Sequence, residues 1–359
     1  MNRENWIKIE QKVFTTGDSL DINQLLGILI WKPKDSLSRY NFFVNIPPAK
    51  LINVENYKSL PPIAKSKILE QYKAAFNAGK NKNYKYLVDE KESYIGGEYS
   101  VEQAIRFFNT RVSILVENGR NDAHFLKTIF KFFDKSVSEK KRLLNFCKND
   151  WIHFDNAGGW TNIDNVVEGL KNSLEDFCTE QGRDVKDFIR CFVLMDSDKQ
   201  FPNDIPEKKI ELKDKLEELG IEVHILNKRA MENYMPDEVI NDEATKNINV
   251  KNWNKAYQHL NAEQKDFLNF QKGFPKENKL IKPRHLQEDE IKNLYSNPPI
   301  SDSNYNILDK GMQYPNFKEE FPKKFNSPFC FMESLLIREG GTYESNEFNE
   351  IINKINKLL

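Results

Sequence analysis

Two apolar runs in this chain end on an acid. "SILVENGRND" (113–122) carries a buried-strand pattern straight into Glu117, and "IRCFVLMD" (189–196) runs into Asp196, with Asp198 two residues on. Leaving a sheet on a carboxylate usually has a chemical reason. In an open parallel sheet, functional groups gather beyond the C-terminal ends of the strands. If these two strands are neighbours, Glu117, Asp196 and Asp198 share one edge. Asp122 opens the helix after the first turn and can point back to the same place. Four like charges packed together repel and raise one another's pKa. A divalent cation removes that conflict. Mg²⁺ is hard, prefers oxygen ligands and keeps waters that a phosphate can displace. Two such ions can activate a water and stabilise a leaving oxygen.

Two more stretches fall on the same edge. "DNAGGWTNI" (155–163) places Gly158 and Gly159 after another strand, where the backbone can turn tightly and come close to a ligand. The plainer reading is a strand-to-helix turn with Thr161 as N-cap. "HILNKRAMENYM" (224–235) puts Lys228, Arg229 and Glu232 just past a fourth strand. A Lys or Arg there can neutralise charge developing on a cleaved phosphodiester. The competing reading is a surface helix start with a local ion pair.

The elements that must position these groups lie in a block spanning about 111–245. "VSILVE", "DWIHFD", "IRCFVLMD" and "IEVHIL" read as strands. Between them, "DAHFLKTIFKFF" puts Phe125, Leu126, Ile129, Phe130 and Phe133 on one helical face. "TNIDNVVEGLKNSLEDFCTEQG" does the same with Ile163, Val166, Val167, Leu170, Leu174 and Phe177. "EKKIELKDKLEELG" reads as a charged surface helix closed by Gly220. Alternating strand and helix predicts a parallel sheet with helices on its faces.

The first block, 1–110, reads as a mixed α+β region. "RYNFFVNIPPAKLINV" suggests two short strands broken by Pro47-Pro48, and "YKYLVDEKESYIGGEYS" suggests strand, turn, strand. A helix at "PPIAKSKILEQYKAAFNAGK" puts Ile63, Leu69, Tyr72 and Phe76 near one face, with Gly79 as C-cap. Ser100 and Gln103 are spaced as a capping box. Position alone suggests a dimerisation or sensing role. The third block, 246–359, reads as mainly helical, with helices near "AEQKDFLNFQ" and at "SNEFNEIINKINKLL" and a loop-rich "NPPISDSNYNILDKGMQYP" between them. Its segment "KGFPKENKLIKPRH" (272–285) is either a phosphate-contacting loop or a solvated linker.

The bulk numbers bound the class. The 359 residues carry 53 basic and 54 acidic side chains, which excludes a globally basic nucleic-acid binder but leaves local basic faces open. Cys147, Cys178, Cys191 and Cys330 form no CxxC pair, so reduced, mostly buried thiols are expected. No apolar leader and no run of about 18 apolar residues is visible, so the expected location is the cytoplasm. The five histidines read as structural: His124 on the helix beside the site, His153 and His224 in strands, and His259 and His285 without partners.

Taken together, "SILVENGRNDAHFL", "DNAGGWTNI", "FVLMDSDK" and "HILNKRAMENYM" resemble a TOPRIM domain, over about 130 residues. The Gly-Gly turn and the "KRxxENY" ending are similar to TOPRIM nucleases of the OLD (overcoming lysogenization defect) type. Those are metal-dependent phosphodiester-cleaving enzymes, many of them serving in bacterial anti-phage defence. The resemblance implies metal ligation by Glu117, Asp122, Asp196, Asp198 and Glu232, around two Mg²⁺ ions, with Mn²⁺ as a substitute. It implies that Lys228 or Arg229 stabilises charge on the phosphate, with Asn233 completing the ending. The family's Glu-Gly pair is Glu117-Asn118-Gly119 here, with one extra residue before Asp122. No GxxxxGK[ST] loop occurs, so the protein acts alone or with a separate ATPase or sensor, as a monomer or homo-oligomer. The expected activity is an endonuclease, with DNA favoured and RNA open. The alternatives are a nucleotidyl transferase or topoisomerase-like TOPRIM protein, or a nuclease-dead regulatory binding module.

Overall fold

A computed structural model describes residues 4–32, 38–134, 141–274, 289–340 and 346–359. Eight strands form two separate sheets, parallel throughout. β1 (Glu4–Ile9), β2 (Asn41–Val44), β3 (Lys82–Val88) and β4 (Glu98–Tyr99) lie in the order β2-β1-β3-β4. β5 (Val112–Val116), β6 (Ile152–Asn156), β7 (Cys191–Met195) and β8 (Glu222–Ile225) lie in the order β6-β5-β7-β8. The protein is therefore α/β in both halves.

The second sheet matches the alternation read from the sequence. Every residue of β5 and β7 is buried, as expected of strands covered on both faces. Ile114, Val116, Phe192 and Leu194 face a core built with Phe125, Ile129 and Phe130 of the helix Asp122–Phe133 and with Trp253, Phe348 and Ile351 of the C-terminal helices. Leu115, Val193 and Met195 join the other core, which runs through Ile163 and Val167 into Ile7, Phe42 and Val88 of the first sheet. The first of these cores joins the second and third blocks across 245, and the other joins the first and second blocks across 110.

Arg190, just before β7, ties the three blocks together. Its fully buried guanidinium donates to the Tyr40 hydroxyl at 2.8 Å, to the Thr110 carbonyl at 3.0 Å and to the Leu358 carbonyl at 2.6 Å.

The first block departs from its expected mixed α+β form. β4 pairs with β3 in parallel, so the Gly96-Gly97 stretch closes no hairpin. Pro48 opens a short helix, Pro48–Leu51, where its missing N–H is not needed, so only one strand lies in "RYNFFVNIPPAKLINV". β1 comes from the polar N-terminal stretch that showed no strand pattern. The helix Pro62–Ala78 ends at Gly79 as expected, but its inward face is Ala64, Ile68, Gln71 and Ala75. Ile63 and Phe76 are exposed, because Gln71 faces β2 and accepts the Phe42 N–H at 3.3 Å. The Ser100–Gln103 capping box is present in both directions.

The third block is helical, including Ala262–Phe267 and Glu347–Lys357. The stretch expected as loop contains the helix Asp302–Leu308, capped by Ser301. The basic segment 272–285 lies, from 275 on, outside the described residues, as does His285. Among the described residues, no helix is long and apolar enough to cross a membrane.

Candidate functional site

Strand register brings the acids together. β5 and β7 are neighbours, and Val116 pairs with Leu194, so Glu117 leaves the sheet opposite Met195, one residue before Asp196. Met195 in turn pairs with Ile225, which sets the loop after β8 beside the same edge. The backbone N–H of Met231 in that loop donates to Asp196 Oδ1 at 3.1 Å. Asp122 starts its helix as expected, and its Oδ2 accepts the Asn118 N–H at 2.7 Å.

Burial and mutual repulsion shape these groups. The Asp122 carboxyl is pushed up to about 7, first by burial, then by Glu232 and Glu117, against the Asn118 hydrogen bond. Asp196 is raised well above the ordinary carboxylate range by burial and then by Glu232, Glu117, Asp122 and Asp198. Glu117 and Glu232 are raised too, burial again being the largest cause. All five acids expected at the site thus lie within one another's electrostatic reach. Among the described residues, however, no group of three or more His, Cys, Asp or Glu side chains is close enough to hold a metal ion as it stands.

An ammonium sits among them instead. Lys209, from the helix Glu207–Glu218, has a fully buried side chain, so that helix is not wholly a surface element. Its Nζ donates to Asp198 Oδ2 at 2.6 Å and to the Asp196 carbonyl at 2.7 Å, and stands 3.6 Å from Glu117 Oε1. It also lies 5.3 Å from the ring centroid of Trp160, which the Gly-Gly turn delivers. Gly158 and Gly159 have φ of 75° and 124°, which only glycine adopts readily, and a side chain at either would meet open space. Thr161 does not cap the following helix; it lies in a 3₁₀ turn, Trp160–Asn162. Sequence reading missed Lys209. The signal was a lysine in a helix's first turn, where the dipole disfavours a cation, eleven residues after Asp198.

Lys228 and Arg229 are placed differently from expectation. Lys228 Nζ pairs with Asp266 Oδ2 at 2.5 Å, its side chain only 7% exposed, and Arg338 holds the other Asp266 oxygen at 3.0 Å. Arg229 donates to the Lys199 carbonyl at 2.9 Å. Their backbone fastens the Asp196–Lys199 loop: Asp198 N–H donates to the Arg229 carbonyl at 2.9 Å and Ser197 Oγ to the Lys228 carbonyl at 2.7 Å. Asp198, at φ 58°, is held in a left-handed conformation by this lacing. Asn233 donates to the Lys265 and Leu268 carbonyls. Tyr234 donates to Glu347, whose other oxygen meets His224 Nε2 and the Asn227 N–H at 2.8 and 2.7 Å. The "KRxxENY" stretch is thus a bracket between sheet and C-terminal helices. The cations acting on the carboxyls are Lys209, on Glu117 and Asp198, and Lys318, on Glu232. His124 contacts Asn326 and His153 contacts Asp150, consistent with structural roles.

Two expected results follow from these contacts. A Cβ on Gly119 would stand 3.1 Å from the backbone N and the Cβ of Asn156, at the end of β6. Gly119→Ala should lower stability by about 1–3 kcal/mol in denaturant unfolding. Lys228→Met strands Asp266 with Arg338 alone. It should lower stability by roughly 3 kcal/mol while leaving divalent-ion affinity, by calorimetry, near wild type. A large loss of affinity with stability intact would return Lys228 to the site.

The side chains suit a hard divalent cation in kind: oxygen donors only, raised chiefly by burial and then by one another's charge, with Glu117 Oε1 buried and lacking a hydrogen-bond partner. Comparison with protein-family models, curated proteins and solved structures finds no match for this chain.

Proposed function

We propose that this chain is a divalent-cation-dependent phosphodiesterase of the TOPRIM kind, an endonuclease on nucleic acid with DNA favoured over RNA, of the sort that serves anti-phage defence in bacteria. The observation that carries this reading is the gathering of five acids from three segments toward one strand-end rim, four of them raised above their ordinary range. They are also the residues on which the resemblance rests.

Glu117, Asp196 and Asp198 would hold one Mg²⁺, and Asp122 and Glu232 would border a second. Bound there, the ions supply Lewis acidity toward phosphoryl oxygens and water. The chain's own groups do the rest. The open backbone at Gly158 and Gly159 admits a sugar-phosphate strand close to the rim. Lys318, whose charge acts on the Glu232 carboxyl, adds positive charge from the C-terminal block. The Met231 N–H fixes Asp196 in orientation. Lys228 and Arg229 hold the loop that carries Asp198 rather than meeting the phosphate. A separate ATPase or sensor remains part of the proposal as the source of control.

One observation favours a second reading. Lys209 already gives Asp198 a counter-charge at 2.6 Å, as a metal-free binding module would need. Incubating the purified chain with plasmid and with RNA, under Mg²⁺, Mn²⁺ or EDTA, decides between them. Metal-dependent cleavage supports the nuclease. Relaxation without nicks supports a topoisomerase-like reaction. Absence of both cleavage and calorimetric ion binding supports the module.

A further inference from the structure

We propose that Lys209 is a built-in competitor for the metal position: its ammonium occupies the place among Asp198, Asp196 and Glu117 that a divalent cation takes, and ion binding requires it to withdraw. The inference rests on the metal-dependent reading above and concerns how that site is regulated.

A lysine with no exposed side-chain surface is uncommon and unfavourable unless its charge is compensated. Here the compensation is specific. Nζ reaches a carboxylate of the Asp-x-Asp pair at 2.6 Å and the backbone carbonyl of its first member at 2.7 Å. It lies 3.6 Å from the strand-end glutamate. Those are three of the oxygens that converge between β5 and β7. Glu117 Oε1 remains without a hydrogen-bond partner, so the ammonium does not saturate the cluster. The side chain has somewhere to go, because Asp198 is 47% exposed and the neighbouring Gly-Gly turn is open. Two cations cannot share these oxygens at full strength, so whatever favours the withdrawn lysine, including a bound polyanion that attracts it, favours the ion. Substrate and metal then bind with positive coupling.

The test is calorimetric titration of the full chain with Mn²⁺, without substrate, in wild type, Lys209→Gln, Lys209→Met and Lys209→Arg. Gln keeps a donor for the Asp196 carbonyl and so guards against loss of folding in the Met variant. Both neutral variants should bind Mn²⁺ at least ~10-fold more tightly than wild type, and Lys209→Arg should not. Their melting temperatures should fall in EDTA and recover with Mn²⁺ by more than wild type gains. Unchanged or weaker binding in Lys209→Gln, or equal tightening in Lys209→Arg, overturns the competitor role while leaving the metal reading intact. If no variant binds Mn²⁺, wild type included, the metal reading itself falls, and this inference with it.

Discussion

Glu117→Gln should reduce Mg²⁺-dependent cleavage by ~10³-fold or more while raising the melting temperature of the metal-free protein at pH 8. The two effects have one cause. Glu117 leaves β5 directly opposite the end of β7 and adds its charge to Asp122, Asp196 and Glu232. The substitution replaces an anionic carboxylate ligand by a neutral amide, which weakens metal ligation and removes a source of repulsion. Lys209 keeps its closer partner, Asp198, so the variant leaves no stranded ammonium. Gel assays of plasmid cleavage and scanning calorimetry in EDTA read the two effects. Cleavage at the wild-type rate would remove Glu117 from the chemistry. Lost cleavage with lost stability would make it a structural residue.

The second large effect is a pH dependence that divalent ions should partly erase. Asp122 and Glu339 are each raised to about 7, burial being the main cause. Between about pH 4, where carboxyls of the unfolded chain ionise, and pH 7, the folded state holds protons that the unfolded state has released. Stability therefore falls as pH rises through that window and levels off above it. Glu117, Asp196 and Glu232 add in the same direction. His124 is lowered by burial and by Lys127, Lys323 and Arg120, and contributes the opposite slope near its ordinary range. The carboxylates outnumber it. The metal-free protein should lose a few kcal/mol between pH 5 and pH 8, measured by urea unfolding in EDTA. Saturating Mg²⁺ should restore the share owed to the rim, and Glu339→Gln the share owed to the C-terminal helices. A stability that rises over this window in EDTA would overturn the electrostatic account.

The central sheet was legible because its signals are local. Strands buried on both faces leave unbroken apolar runs, and the acids that end β5 and β7 mark where they stop. Whether the two strands are neighbours was left open by the strand–helix alternation; the order β6-β5-β7-β8 answers it, and register does the rest. The first sheet was hidden because β1, ENWIKI, sets Trp6 and Ile7 side by side and so breaks the alternation within a polar stretch, and because a short connection from β3 to β4 looks like a hairpin turn. The ion pair of Lys228 was not legible because its partner, Asp266, lies 38 residues away in a block whose docking no local pattern reveals. Lys209 was missed because one buried lysine on a charged helix is indistinguishable in composition from its solvated neighbours.

Arg190 limits how this protein can be taken apart. One guanidinium holds a tyrosine from before residue 41, the last turn before β5 and the penultimate carbonyl of the chain. Excising 111–245 as a minimal catalytic fragment would remove all three of those acceptors and expose the parts of both cores that pack against the first block and the C-terminal helices. Such a fragment should aggregate rather than act, and dissection of this chain by deletion would report on folding before it reported on chemistry.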